Sequence, residues 1–183
     1  MKHFKIVCYL IVVLLISACA ATRSVKKEAI KPPPMEVGFE ENAIRLHLKG
    51  DPQLNLYQKK PHALVICVYQ LRDPNAFGQV ADEKEGIQRL MECTRFDPGV
   101  VCTKRIVIQP GQEIEESIDR AEGTRYVGIV AGYFGYEQKN VMRLMSIPAE
   151  TSLILRRKSA APLDIKLYLG PTEMRDLKEE EGK

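Results

Sequence analysis

This sequence predicts a mainly β fold, an antiparallel β-sandwich of about seven to eight short strands with one short inserted helix, and three observations carry that prediction. Several short segments alternate apolar and polar side chains with period two. Two further segments are apolar on both faces, as strands at the centre of a covered sheet are. Turn formers such as Asp97-Pro98-Gly99 and Pro110-Gly111 punctuate the run.

The first strand is read at Ile44, Leu46 and Leu48, which alternate with Arg45, His47 and Lys49 and so bury one face. Ala63 to Leu71 is apolar on both sides and reads as a central strand. Asp82 to Thr94 carries Ile87, Leu90 and Met91 at helical spacing behind Asp82 as N-cap, and is read as the inserted helix. Thr103 to Gln109 alternates around Ile106 and Ile108 and stops at Pro110-Gly111. Gln112 to Arg120 is ambiguous, because Ile114 and Ile118 fit either a strand face or a helical turn. Tyr126 to Phe134 reads as a second central strand, with Gly128, Gly132 and Gly135 placed to let large side chains or backbone approach closely. Val141 to Ile147, Ser152 to Arg156 and Leu163 to Leu169 complete the set. In the last, Leu163, Ile165, Leu167 and Leu169 point in while Asp164, Lys166 and Tyr168 point out. A sandwich buries such alternating faces.

The N-terminus is an address. Lys2 and Lys5 precede an apolar run from Ile6 to Ala18, and Ile16-Ser17-Ala18-Cys19 is the layout cut by a lipoprotein-processing peptidase. Those 13 residues are short of the roughly 20 needed to span a bilayer as a helix. Residues 1–18 are therefore read as a signal peptide and Cys19 as the lipidated first residue of the mature chain. Several acyl chains, at about 0.8 kcal/mol per buried methylene, hold a domain stably at a membrane. Bacterial lipoproteins that stay in the inner membrane often carry Asp after the lipid cysteine. Ala20 stands there instead, which implies the periplasmic face of the outer membrane. Residues 19–41 form a tether, stiffened by Pro32-Pro33-Pro34 in extended polyproline conformation. One sandwich domain spans residues 42–172, and the charged residues 173–183 read as a frayed tail.

Removal of residues 1–18 from the 183 leaves 165, enough for one domain with a sizeable core. Of the 27 Lys and Arg, Lys2 and Lys5 leave with the signal, so 25 remain against 24 Asp and Glu. A near-neutral chain lacks the basic field that nucleic-acid binding needs. Only His47 and His62 remain after cleavage, and no Gly-x-Ser-x-Gly, His-Glu-x-x-His or phosphate-cradling glycine loop is present. Glu113, Glu115 and Glu116 beside a turn read as a solvated face. The expectation is a non-enzyme without cofactor, metal or small-molecule substrate. Cys93 and Cys102 bracket the Asp-Pro-Gly turn and are expected to pair, leaving Cys67 as a buried thiol in mid-strand.

The order of features resembles one family. The lipobox, the tether, Val68-Tyr69-Gln70-Leu71 followed by Asp73 and Phe77, the Ile106-to-Gly111 strand and turn, and Arg125 to Phe134 are similar to the outer-membrane lipoproteins of type VI secretion systems, the TssJ (SciN) family. Members often carry a tryptophan shortly after the Val-Gly strand. This chain has none, and Met142 to Met145 occupies that region.

The resemblance implies a transthyretin-like sandwich that binds the periplasmic domain of TssM, an inner-membrane protein. It also implicates the loop between the first two strands, here Gly50 to His62. On residues alone, Leu54, Asn55, Leu56 and Tyr57 in that loop are the best partner-binding candidates, an aromatic among aliphatics behind Asp51-Pro52. Leu54 and Leu56 fit equally well as a plug for one end of the sandwich. A lipoprotein that binds a small hydrophobic ligand, or one that assists outer-membrane assembly, is the alternative function; a closed apolar pocket would favour the former.

Cys19→Ser should leave an unprocessed precursor that takes up no labelled palmitate and is lost from outer-membrane fractions. Continued labelling of that variant would refute the lipid assignment.

Overall fold

Period-two alternation puts Ile44, Leu46 and Leu48 of β1 (Glu40–Gly50) on one face, and all three are buried. The computed structural model describes residues 37–135, 138–152 and 157–177. The signal peptide, Cys19, most of the tether, and Ser152–Arg156 apart from Ser152 lie outside the described residues.

β1 runs antiparallel to β4 (Glu113–Arg120) and parallel to β9 (Leu163–Leu169), which pairs with β10 (Met174–Asp176) to complete the sheet order β10-β9-β1-β4. Ile44 stands opposite both Ile118 and Leu163, Leu46 opposite Ile165, and Leu48 opposite both Ile114 and Leu167. One register therefore brings the apolar faces of three strands together. The ambiguous segment is thus a strand: Ile118, opposite Ile44, is buried, Ile114, opposite Leu48, is partly buried, and Arg120, opposite Glu40, is buried as well. The β1–β9 pair is the one parallel pairing among the described strands, within an otherwise antiparallel sandwich.

The second sheet has the order β3-β2-β5-β6, from β2 (Leu64–Leu71), β3 (Val100–Ile108), β5 (Tyr126–Ala131) and β6 (Met142–Ser146). A hairpin of β7 (Ala149–Ser152) and β8 (Arg157–Ala160) stands apart. Met142 and Met145 of β6 pack partly buried against the core. The central strands β2 and β5 are covered on both sides. Gln70 of β2 reaches the first sheet, its side-chain amide nitrogen Nε2 donating to the Asp119 carbonyl at 2.8 Å, so Leu64, Ile66 and Val68 share that inner face. The neighbouring Tyr69 points the other way and donates its hydroxyl to the Leu90 carbonyl.

That outer face is roofed by two short helices, α1 (Asn75–Asp82) and α2 (Gly86–Leu90), with α3 (Gln138–Val141) elsewhere. The single helix expected from Asp82 is therefore corrected: Asp82 is the last residue of α1, and the N-cap position of α2 is Glu85. The start signal lies upstream, where Asp73 Oδ1 accepts from the Asn75 amide at 2.8 Å beside Pro74. The break between the helices, residues 83–85, ends at Gly86, where a Cβ would lie 1.6 Å from the Val80 carbonyl oxygen, so only glycine permits that approach. Gly128 and Gly132 do what their spacing suggested. A Cβ at Gly128 would meet the Phe77 ring at 2.8 Å, and one at Gly132 would meet Met91 at 2.8 Å. Gly135 has open space and no such role.

The cysteine pairing also differs from expectation. Cys67 is joined to Cys93 across 5.2 Å between Cα atoms, and Cys102 is the free thiol among the described residues. Cys102 stands opposite Gln70 in the β2–β3 ladder and so shares its inner face, whereas Cys67 projects from the outer face towards the helices. Cys93 returns from α2 on that outer side. The Asp-Pro-Gly turn folds the chain back as expected, but it delivers Cys102 to the wrong face. The link spans 26 residues and ties the helical roof to β2; a loop of that size corresponds to about 3 to 4 kcal/mol on chain entropy.

The ends differ too. Residues 174–176 form β10 with Met174 buried, so the segment from Glu173 is a sheet edge and not a frayed tail up to that point. At the other end, Val37 is buried and the Gly123 amide donates to its carbonyl at 2.8 Å, so the domain begins before residue 42.

Peptide mapping of unreduced protein should give one linked pair containing Cys67 and Cys93, with Cys102 free; a Cys93–Cys102 pair would overturn the assignment. Gly128→Ala should cost about 1 to 3 kcal/mol in a denaturant titration, because the Phe77 ring has to leave its place on β5.

Candidate functional site

The chain between β1 and β2 crosses one end of the sandwich, and its shape is held from beneath. Asp51 is the hub: its amide donates to Leu169, its carbonyl accepts from Leu54 at 2.9 Å and Gly111 at 3.1 Å, and its carboxylate accepts from the Gln53 amide and the Tyr168 hydroxyl. Leu54 is wholly buried and belongs to the core cluster. Asn55 is only 2% exposed, with φ +48°, a left-handed conformation that asparagine tolerates. Its Nδ2 donates to the Ala63 carbonyl at 3.0 Å and its Oδ1 accepts from the Phe134 amide at 2.9 Å. These two residues are corrected from contact residues to supports, because neither side chain reaches the surface.

Beyond them the loop turns outward. The Leu56 amide donates to the Pro171 carbonyl at 2.7 Å, and Leu56 is half-buried. Tyr57 and Lys60 exchange two backbone hydrogen bonds, 2.9 and 3.0 Å, around Gln58 and Lys59. Both central residues have positive φ, +49° and +62°. A tight turn of this hand normally takes Asn or Gly, so two long side chains there carry about 1 kcal/mol of strain or more apiece.

The turn presents Tyr57, 46% exposed, stacked on Phe134 with ring centroids 4.8 Å apart and planes at 25°. His62 meets Phe134 edge-on at 5.0 Å and Tyr57 at 6.3 Å. Phe134, 57% exposed, is not legible as a surface residue in the sequence, where it is the last residue of the central strand read from Tyr126. β5 ends at Ala131, and the next residues divide. Tyr133 turns in and donates its hydroxyl to the Glu173 carbonyl at 2.8 Å, while Phe134 turns out. Burial holds the Tyr133 phenol neutral well above its ordinary range. The signal in the sequence was the Gly132/Gly135 pair, which marks a strand end as readily as a close approach. His62 was considered only as a catalytic or metal candidate; it serves as the third ring, and its Nδ1 is buried without a hydrogen-bond partner.

The polar face of the first sheet offers a contrast. A solvent-open groove there is lined by Arg45, His47, Glu115, Glu116, Asp164 and Lys166, among others. His47 lies between Glu113 at 2.7 Å and Glu115 at 3.4 Å, Arg45 pairs with Asp164 at 2.9 Å, and Glu116 pairs with Lys104. Glu113 and Glu115 thus flank His47 on the polar face, while Glu116, opposite Leu46, turns to the other side to meet Lys104; such pairs contribute about 0 to 1 kcal/mol each. Among the described residues no three His, Cys, Asp or Glu side chains converge as a metal site.

Comparison with known proteins places this geometry in a family. Residues 42–169 match the family model T6SS-SciN, described as "Type VI secretion lipoprotein, VasD, EvfM, TssJ, VC_A0113". No curated protein is matched by the sequence. Among solved structures, the chain is similar to the type VI lipoprotein TssJ1 from Pseudomonas aeruginosa, at 19% identity and TM-score 0.54, covering 72% of this chain and 92% of that one. It is similar to Serratia marcescens Lip, a membrane-bound component of the type VI secretion system, at 19% identity and TM-score 0.58, covering 74% and 97%. It also shares its fold with the TssM C-terminal domain from EAEC, at 13% identity and TM-score 0.54, covering 72% and 94%. The match over residues 42–169, most of the chain, shows that this protein belongs to the type VI secretion lipoprotein family that includes VasD, EvfM and TssJ.

Proposed function

We propose that this protein is the outer-membrane lipoprotein of a type VI secretion system, anchored on its periplasmic side by lipid on Cys19. We further propose that its Gly50–His62 loop binds the periplasmic domain of a TssM-like inner-membrane protein. The observation that supports this reading best is the turn at Gln58-Lys59, whose left-handed backbone holds the Tyr57 ring out of the core. Strain of that kind persists only where surrounding structure imposes it, and a rigid exposed aromatic is what an interface anchor requires. Leu54 and Asn55 set the loop's shape, and Leu56 and Tyr57 make the contact. The role is mechanical. Lipid holds the outer membrane, the tether gives reach, and the sandwich passes load to the partner; no bond-making step is assigned to any residue.

The loop's two halves make the test decisive. Tyr57→Ala should weaken association of the mature chain with the TssM-like periplasmic domain by about 2 kcal/mol or more in a titration, with unchanged thermal melting. Leu54→Ala should instead lower the protein's own stability by about 2 to 5 kcal/mol, because it empties a filled core position. Normal affinity with normal melting in both Tyr57→Ala and Leu56→Ala would remove the loop from the mechanism.

A further inference from the structure

We propose that Phe134, on the loop after β5, is the second half of this contact surface, and that the Tyr57–Phe134–His62 cluster receives an apolar segment of the partner flanked by carboxylates, which Lys59 and Lys60 attract. The inference rests on the loop-binding reading above and extends it to a second loop and to the chemistry of the partner. Phe39, Val107 and Leu144 are also exposed, but each lies outside the ring cluster, as scattered apolar residues on ordinary surfaces do. Tyr57 and Phe134 instead lie ring on ring, so their outer surfaces form one apolar area. That area is rigid from both sides. Asn55 binds the Phe134 amide and the Ala63 carbonyl from one buried side chain, and Tyr133 pins the neighbouring residue to Glu173.

Charge selects the occupant. Lys59 and Lys60 stand exposed at the rim, next to Tyr57, with no ion-pair partner among the described residues. The loop's own carboxylate, Asp51, is turned inward to the Tyr168 hydroxyl and the Gln53 amide. An apolar centre with an unmatched cationic rim favours acidic flanks on the partner, which speed encounter through long-range attraction.

The experiment is a kinetic titration of the mature chain against the TssM-like periplasmic domain, at low and at physiological ionic strength. Phe134→Ala should weaken binding about thirtyfold, as Tyr57→Ala does. Lys59→Glu with Lys60→Glu should slow association about tenfold at low ionic strength, and the difference should shrink as salt screens it. The charge reversal lies wholly on the exposed turn, so it tests the electrostatic half even if Phe134→Ala were to lower the melting temperature. Loss of binding in Tyr57→Ala with full affinity in Phe134→Ala would overturn this inference and leave the loop reading standing. Association of the wild type that does not respond to salt or to the charge reversal would overturn the acidic-partner assignment. A self-associated domain that Phe134→Ala renders monomeric would make a second copy the occupant and overturn it likewise. No binding by the wild type would remove both readings together.

Discussion

The double burial of β2 is the constraint on which the rest of the structure depends. Cys67, Tyr69 and Leu71 cannot face water any more than Leu64, Ile66 and Val68 can, so the strand needs cover on both sides. The first sheet covers one face. Because the described strands form two main sheets, the helical excursion between β2 and β3 covers the other. Phe77 then seats on Gly128, Met91 on Gly132, Tyr69 hydrogen-bonds back to Leu90, and the Cys67–Cys93 link ties the excursion down. Burial pushes the Tyr69 phenol up to about 12, which keeps it a neutral donor to that carbonyl at any ordinary pH.

Buried polar side chains join the parts that hydrophobic packing alone leaves loose. Gln70 satisfies both ends of its amide across the sandwich, donating to Asp119 and accepting from the Ala121 amide at 2.8 Å and the Thr124 hydroxyl at 2.9 Å. Arg120, 3% exposed, reaches the Ala161 carbonyl at 3.1 Å and Glu40 at 2.5 Å, so the end of β4 is tied to the start of β1 and to the segment leading into β9. Asn55 acts likewise between the two loops that make the aromatic surface. Each of these groups has partners, and removing one partner would strand a buried donor or acceptor at a cost of about 1 to 3 kcal/mol. Specific alignment is what they contribute, since apolar contacts would tolerate sliding.

Fold likeness and family membership carry different weight here. The same sandwich is shared with a type VI lipoprotein and with a TssM C-terminal domain at nearly equal TM-scores, so the architecture alone does not separate the two roles. The match over residues 42–169 does separate them. On that shared frame this chain carries local features of its own loops: a strained turn and a stacked ring pair at one end of the sandwich.

The amino-acid sequence by itself determined which residues face inward. Alternation in β1 and β9 and apolar continuity in β2 and β5 are visible in any window of seven residues, since side-chain direction follows backbone geometry. The family resemblance was legible for the same reason, being carried by local patterns. Tertiary structure decided everything that depends on which neighbour a face meets. Periodicity says that Leu163 to Leu169 is half-buried, but not that β9 lies parallel to β1. It brings Cys102 near Cys93 in the chain, yet the ladder turns Cys102 to the inner face, and Cys93 finds Cys67. It placed Leu54, Asn55, Leu56 and Tyr57 in one loop without saying that the first two are beneath the surface and the last above it. Phe134 joined Tyr57 only because two loops distant in sequence share one end of the sandwich, and contacts across that distance leave no period for a sequence to show.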